Sequence, residues 1–300
     1  MSNETELELA PRETKGRVLI IAGSDSGGGA GVQADIKSCA AFGAYSATAI
    51  TAVTAQNSTG VQGIEVMPHE FVRQQIKSVI EDIGADVIKI GMLANADIIE
   101  VVAEEVDKAD AYIVLDPVMV ATSGDSLLDE EAVSVLKDKL VPLCDVITPN
   151  VPEANILTGL DIQEPGDLVE AGEKLLEMGA YAALMKGGHL DMKSVVDVLV
   201  TEEGANMMTG PRLYSRHTHG TGCTLASSVA ACMAIGMPLE QAVQNARDFV
   251  FEAIRTAPKF GQENGPLNHG LVMDDKGLVE EKVKEEKSQN PFAVLKGLKD

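Results

Sequence analysis

The feature that most constrains this chain is a repeated change of period. Short β-rich apolar runs at 17–23, 46–54, 86–92, 112–118, 145–149 and 181–185 alternate with longer segments of helical periodicity, such as 31–42, 70–84, 97–109, 129–143 and 167–179. Strands that are apolar at nearly every position are buried on both faces, and a strand–helix–strand order lets successive strands run parallel. The expected fold class is therefore α/β, a three-layer α-β-α sandwich around a mostly parallel central sheet. A further run at 195–201, a hairpin signal at Glu203-Gly204 and two long helices at 221–236 and 239–257 complete the pattern. No shift in composition divides the first 265 residues, so one domain is expected over 17–269. It lies between a polar N-terminal extension, 1–16, and a charged tail, 270–300, whose 280–286 run reads as a solvated helix face or disorder.

The charge balance narrows the partners. With 46 acidic against 24 basic residues and a net charge of −22, the chain lacks the cations that a nucleic-acid backbone demands, so no nucleic-acid partner is expected. A small phosphate ligand stays compatible, because one lysine, a metal ion and converging N–H groups reverse the field locally. No apolar run approaches about 18 residues, and residues 1–16 lack the basic start and apolar stretch of a signal peptide, so a cytoplasmic protein with no membrane partner is expected. Cys39, Cys144, Cys223 and Cys232 are scattered, without the spacing of a zinc site or a disulfide framework.

The chemistry is concentrated where strands end. In open α/β sheets ligands bind beyond the carboxyl ends of the strands. Here those positions hold the glycine run 23–31 with Asp35 beyond it, Gln56-Asn57, Gly91-Met92, Asp116-Pro117-Val118, Asn150 with Glu153, and Lys186-Gly187-Gly188. Most telling is 217–224, His-Thr-His-Gly-Thr-Gly-Cys-Thr, which runs straight into an apolar helix. Gly220 and Gly222 let N–H groups converge, and the helix start adds about half a positive charge, so this turn suits an anion. It also brings a thiol, Cys223, whose thiolate a helix N-terminus favours; a core cysteine behind a plain cap is the bland alternative.

Taken together, the runs 23–35, 54–57, 89–93, 148–154, 185–189 and 217–224 resemble the hydroxymethylpyrimidine and phosphomethylpyrimidine kinases of the ribokinase-like superfamily, in colinear order over about 17–269. The resemblance implies a thiamine-biosynthetic enzyme that uses ATP and Mg2+ to phosphorylate 4-amino-5-hydroxymethyl-2-methylpyrimidine and then its monophosphate. It implies Gln56, Gly23, Asp35, Met92 and Val118 around the pyrimidine. It implies Gly220, Thr221, Gly222, Cys223 and Lys186 as the catalytic set, Lys186, Asn150 and Thr221 toward ATP, and Asp116 and Glu153 toward the metal. A homodimer is expected. Cys223 is either the base or the group that positions the hydroxyl. Thr122 stands where many relatives carry a lysine in the loop after Val118, so that loop brings no cation to the phosphates at this position.

Two rivals share the fold. A pyridoxal kinase would use the same Cys223 turn and glycine loops, and a non-catalytic pyrimidine-sensing protein would keep the pocket; Gln56 with Met92 weighs against the first, and the intact set of Lys186, Asp116, Glu153 and Cys223 against the second. An NAD oxidoreductase rests on the first glycine run alone and lacks the acidic strand-end residue that a dinucleotide ribose needs.

Overall fold

The computed structural model describes residues 16–119, 128–274 and 277–278. Parallel strands β1 (Arg17–Asp25), β2 (Tyr45–Asn57), β4 (Val87–Ile90), β5 (Tyr112–Leu115), β6 (Val146–Ile147) and β7 (Ala182–Met185) make the centre of a nine-stranded sheet. Antiparallel β3 (Gly60–Val66) extends one edge, and the hairpin β8 (Ser194–Thr201) and β9 (Gly204–Pro211) extends the other, giving the order β3-β2-β1-β4-β5-β6-β7-β8-β9.

The apolar runs fill two cores. Along β1, Leu19 and Ile21 enter one core while Val18, Ile20 and Ala22 enter the other; along β7, Ala183 and Met185 alternate with Ala182 and Leu184 in the same way. Helices α2 (His69–Ile80), α3 (Ala96–Val106), α4 (Glu130–Val135), α5 (Val151–Thr158) and α6 (Pro165–Glu177) cover the first face, and α1 (Gly31–Ala41), α7 (Thr221–Ala234) and α8 (Leu239–Arg255) cover the second. The expected three-layer sandwich is thus what forms. Each fully buried Leu or Ile contributes roughly 1.5–3 kcal/mol, so the two cores dominate the stabilising side. Helix α7 is buried continuously from Thr224 to Cys232 and packs against both α1 and α8. Its small side chains Ala226, Ser227, Ala230 and Ala231 permit that close packing, which holds the helix N-terminus firmly at the carboxyl ends of the strands.

Several elements differ from the sequence pattern. The single helix expected at 129–143 is α4 followed by a π turn, Leu136–Leu140, and a 3-10 turn, Val141–Leu143, because Pro142 has no N–H for an α-helical bond. Strand β3 and helix α5 have no counterpart among the predicted elements. The folded part also runs past 269: β10 (Met273–Asp274) pairs with β11 (Gly277–Leu278), and Met273 is buried in the second core. Residues 1–15, most of the charged tail with its 280–286 run, and Thr122 lie outside the described residues. Among the described residues no helix is long and apolar enough to cross a membrane.

Candidate active site

The strand ends and the start of α7 enclose a cavity of about 880 Å3. Gly23, Gln56, Met92, Val118, Asp116, Asn150, Glu153, Lys186 and Gly220 to Cys223 all line it, so twelve of the thirteen residues expected at the site share one space. Asp35 is the exception.

The turn into α7 is shaped by two glycines. Gly220 has φ +84°, and a Cβ there would overlap the carbonyl oxygen of Gly29, so the 217–224 turn lies directly on the first glycine loop. The turn is closed by Thr221, whose hydroxyl donates to the Thr218 carbonyl at 2.7 Å. A Cβ at Gly222 would sit 3.3 Å from Lys186 Nζ and 3.5 Å from Asp116 Oδ2, so its absence lets the helix N-terminus approach both charged groups. Gly220→Ala is expected to cost about 3 kcal/mol or more, from left-handed strain plus the overlap with Gly29, and to lower Tm by at least about 6 °C. A thermal melt within about 2 °C of the parent would refute the close packing of the two loops.

Opposite the turn stand two carboxylates and a lysine. Lys186 Nζ donates to Asp116 Oδ1 at 2.8 Å and lies 3.9 Å from Glu153 Oε2. Burial works against the lysine's charge, yet Asp116 and then Glu153 hold its ammonium above the ordinary lysine value. Burial, with Asp116 adding, pushes the Glu153 carboxyl up to about 7 against the pull of Lys186. Asn150 and Glu153 also form a capping box on α5: the Asn150 side chain accepts from Glu153 N, and Glu153 Oε2 accepts from Asn150 N at 2.8 Å. The helix-cap role and the site role therefore coexist in these two residues. Among the described residues no cluster of three or more His, Cys, Asp or Glu side chains gathers as a metal site. Two hard oxygen donors beside a turn suited to an anion do fit Mg2+, which is usually held by one or two carboxylates together with substrate phosphates and water.

At the other side of the cavity Gly23 and Met92 pack together; a Cβ at Gly23 would lie 3.1 Å from Met92 Sδ. The Gln56 backbone is pinned by Ser26, whose hydroxyl donates to the Gln56 carbonyl and accepts its N–H, both at 2.8 Å. The two terminal atoms of the Gln56 amide lie 3.2 Å from Thr54 Oγ1 and 3.4 Å from His219 Nε2. His219 Nε2 also donates to Asp25 Oδ2 at 2.9 Å, and Asp25 accepts the N–H groups of Gly27, Gly29 and Ala30. Burial would raise the Asp25 carboxyl, but His219 and these N–H groups outweigh it and hold it below the ordinary carboxylate value.

Two expectations need correction. Asp35, placed by resemblance at the pyrimidine, does not reach the cavity surface: it is wholly buried on α1, accepting hydrogen bonds from Lys89 Nζ at 2.9 Å and from Ser227 Oγ at 2.7 Å. The residue that lines the cavity there is Lys89. Burial moves the Asp35 carboxyl upward and pulls against the charge on Lys89, whose ammonium Asp35 and then Asp116 nevertheless hold up, since a cation facing two carboxylates keeps its proton. The second correction concerns Cys223. Its position at the helix start does not make it a thiolate: burial, with Asp35 and Asp116 adding to it, overrides the cation Lys89 and pushes the thiol up to about 12.

Lys89, Asp25 and His219 thus join the site without having been assigned a role from the sequence. The signal for Lys89 was a charge inside the apolar strand Val87–Ile90, and for Asp25 an acidic residue opening a glycine run, where a carboxylate gathers backbone N–H groups.

A family model described as phosphomethylpyrimidine kinase matches residues 25–268. The chain is 45% identical over 262 residues to the thiamine biosynthesis bifunctional protein ThiED of Geobacter sulfurreducens, covering 87% of this chain and 54% of that protein. It is 44% identical over 265 residues to a hydroxymethylpyrimidine/phosphomethylpyrimidine kinase of Streptomyces coelicolor, covering 88% of this chain and 98% of that one. The chain therefore spans about half of the bifunctional relative and nearly all of the single kinase. Among solved structures, the pyridoxal kinase from Staphylococcus aureus in complex with AMP-PCP and pyridoxal superposes with a TM-score of 0.79 at 32% identity, over 85% of this chain and 93% of that one.

Proposed function

The chain belongs to the phosphomethylpyrimidine kinase family, and from that membership we propose that it phosphorylates 4-amino-5-hydroxymethyl-2-methylpyrimidine and then its monophosphate, with one ATP for each step, in thiamine biosynthesis. The observation that carries the proposal is a single cavity that joins an amide suited to a pyrimidine edge, Gln56, to a phosphate-type set of Gly222, Lys186 and Asp116.

In the first transfer the hydroxyl oxygen bonds to the γ-phosphorus as the bond to the bridging oxygen breaks, and ADP and the hydroxyl proton leave; in the second the phosphate oxygen of the monophosphate takes the hydroxyl's place. The charge spread over the transferred group needs fixed donors. Lys186 and the N–H groups of the Gly220 to Cys223 turn suit that task, with Thr221 and Asn150 beside the nucleotide. Mg2+ would be held by Asp116, and by Glu153 partly through water, and would neutralise phosphate charge. A thiol that keeps its proton supports Cys223 as the group that positions the hydroxyl rather than the base that deprotonates it. Gly23, Met92 and Val118 supply apolar contact for the ring, with Asp35 acting from behind through Lys89. A cytoplasmic homodimer belongs to the same proposal, supported by the exposed Ile64 and Val66 on the edge strand β3.

A second reading, phosphorylation of pyridoxal, has the superposition on the S. aureus pyridoxal kinase in its favour. One experiment separates the two. Incubation with MgATP and each alcohol in turn, followed by mass spectrometry, is expected to yield the pyrimidine mono- and diphosphates, with pyridoxal phosphate formed more slowly. Preferential turnover of pyridoxal would select the second reading, and no phosphorylated product from either would refute both.

A further inference from the structure

The orientation of the Gln56 amide follows from its neighbours. Asp25 takes four hydrogen bonds: Oδ1 accepts from Gly27 N at 2.7 Å, and Oδ2 accepts from Gly29 N at 3.0 Å, Ala30 N at 2.8 Å and His219 Nε2 at 2.9 Å. A carboxylate so engaged carries no proton of its own, so the proton between the two side chains belongs to His219 Nε2 in the neutral tautomer and in the imidazolium alike. The amide stands with its Nε2 3.4 Å from His219 Nε2 and its Oε1 toward Thr54, but its two ends are interchangeable in shape, and a nitrogen beside the His219 N–H sets donor against donor, so the oxygen belongs on the His219 side. The far end of the amide gives the same answer independently. Thr54 Oγ1 has one proton for two acceptors, the Ser24 carbonyl at 2.9 Å and Gln56 Oε1 at 3.2 Å; with the shorter bond kept, it is the turned amide, nitrogen toward Thr54, that satisfies both groups by donating to Oγ1. The backbone of Gln56 is already tied to Ser26, so rotation about the last side-chain bond is the freedom that these two contacts remove.

We infer that His219, held by Asp25, and Thr54 together fix which way the Gln56 amide faces, and so decide which hydrogen-bonding edge of a pyrimidine the kinase accepts. The inference rests on the assignment of Gln56 to the pyrimidine edge. With its oxygen on the His219 side, the amide has a second lone pair left there and a second N–H left on the Thr54 side. A 4-aminopyrimidine matches: its amino group donates to the oxygen, and its ring nitrogen accepts from the N–H. The 4-oxo analogue presents the reverse pattern, a carbonyl acceptor and a ring N–H donor. It fits after the amide turns over, and turning over sets donor against donor at His219 and acceptor against acceptor at Thr54. His219 and Thr54 are thus positioning residues for specificity.

The test is the ratio of kcat/KM for 4-amino-5-hydroxymethyl-2-methylpyrimidine to that for 5-hydroxymethyl-2-methylpyrimidin-4-one. It is measured with MgATP for the parent and for His219→Phe, His219→Gln, Thr54→Val and Gln56→Leu. A mismatched buried hydrogen bond is worth about tenfold. His219→Phe and Thr54→Val are each expected to lower the amino preference about tenfold, with KM for MgATP changed less than about twofold. His219→Gln restores a side-chain donor and is expected to recover most of the preference, which a purely structural role for the ring would not produce. An undiminished preference in both His219→Phe and Thr54→Val, with Gln56→Leu abolishing it, would overturn the inference and leave the role of Gln56 standing. A preference that survives Gln56→Leu would overturn the assignment of Gln56 itself, and the inference with it.

Discussion

Lys186→Met is expected to lower kcat about 10^3-fold while changing KM for the pyrimidine by less than about threefold, the pattern for a group whose interaction is made mainly in the transition state. The expectation follows from where the charge sits. Lys186 leaves the buried end of β7 with its side chain 13% exposed, 2.8 Å from Asp116 and beside the position a Cβ of Gly222 would take. In such a poorly hydrated place a fixed cation interacts with developing phosphate charge far more strongly than it would in water. Lysine serves as a compact point charge here, and the planar, wider guanidinium of Lys186→Arg would not fit between Asp116 and the helix start, so arginine is expected to rescue poorly. Steady-state kinetics with MgATP check the effect. A fall in kcat of less than about tenfold, together with a lowered Tm, would show that Lys186 serves chiefly to neutralise Asp116 and Glu153 rather than to meet the phosphate.

The layers of the fold were legible because they depend on period and on burial over many residues. Strands such as Val87–Ile90 and Ala182–Met185 are buried at every position, and the helices that flank them keep an apolar stripe. What escaped has local physical reasons. Strand β3 is mostly exposed and carries Gly60 and Gly63, so it lacks both the apolar run and the clean alternation of a half-buried strand. Helix α5 spans eight residues and has Pro152 in its first turn, too short for a periodic signal. The site was legible wherever the chemistry sits at a strand end. It was less so where a residue acts through another. Asp25 and His219 are 194 positions apart and meet because Gly220 lets one loop rest on another; Asp35 and Lys89 are 54 apart and meet because α1 packs on β1, the strand that pairs with β4. Such pairings depend on three-dimensional register, which no local spacing encodes. Cys223 shows the same limit in its energetics: its place at a helix start was visible, but the burial that outweighs the helix dipole was not.

The buried pair itself gives the second large effect. Removing either partner alone, Asp35→Ala or Lys89→Met, is expected to destabilise the fold by roughly 3–5 kcal/mol, because each leaves an uncompensated charge in a region without access to water. For a domain of this size that corresponds to a fall in Tm of about 6–20 °C. Both side chains are 0% exposed, so water cannot replace the lost partner. Lys89→Met keeps much of the side chain's shape and leaves the Asp35 carboxylate with the Ser227 hydroxyl at 2.7 Å, which offsets part of the loss; Asp35→Ala instead removes the acceptor that Lys89 Nζ meets at 2.9 Å and opens space beside it. The double variant Asp35→Leu with Lys89→Met replaces both charges by apolar groups of similar volume and should cost less than either single change, since two desolvated charges and their mutual attraction vanish together. Denaturant unfolding of the parent, Asp35→Leu, Lys89→Met and the double variant gives the coupling directly. If the double variant loses as much stability as the two single losses added together, the pair is not an interacting unit, and Lys89 would have to be held at the cavity wall by packing alone.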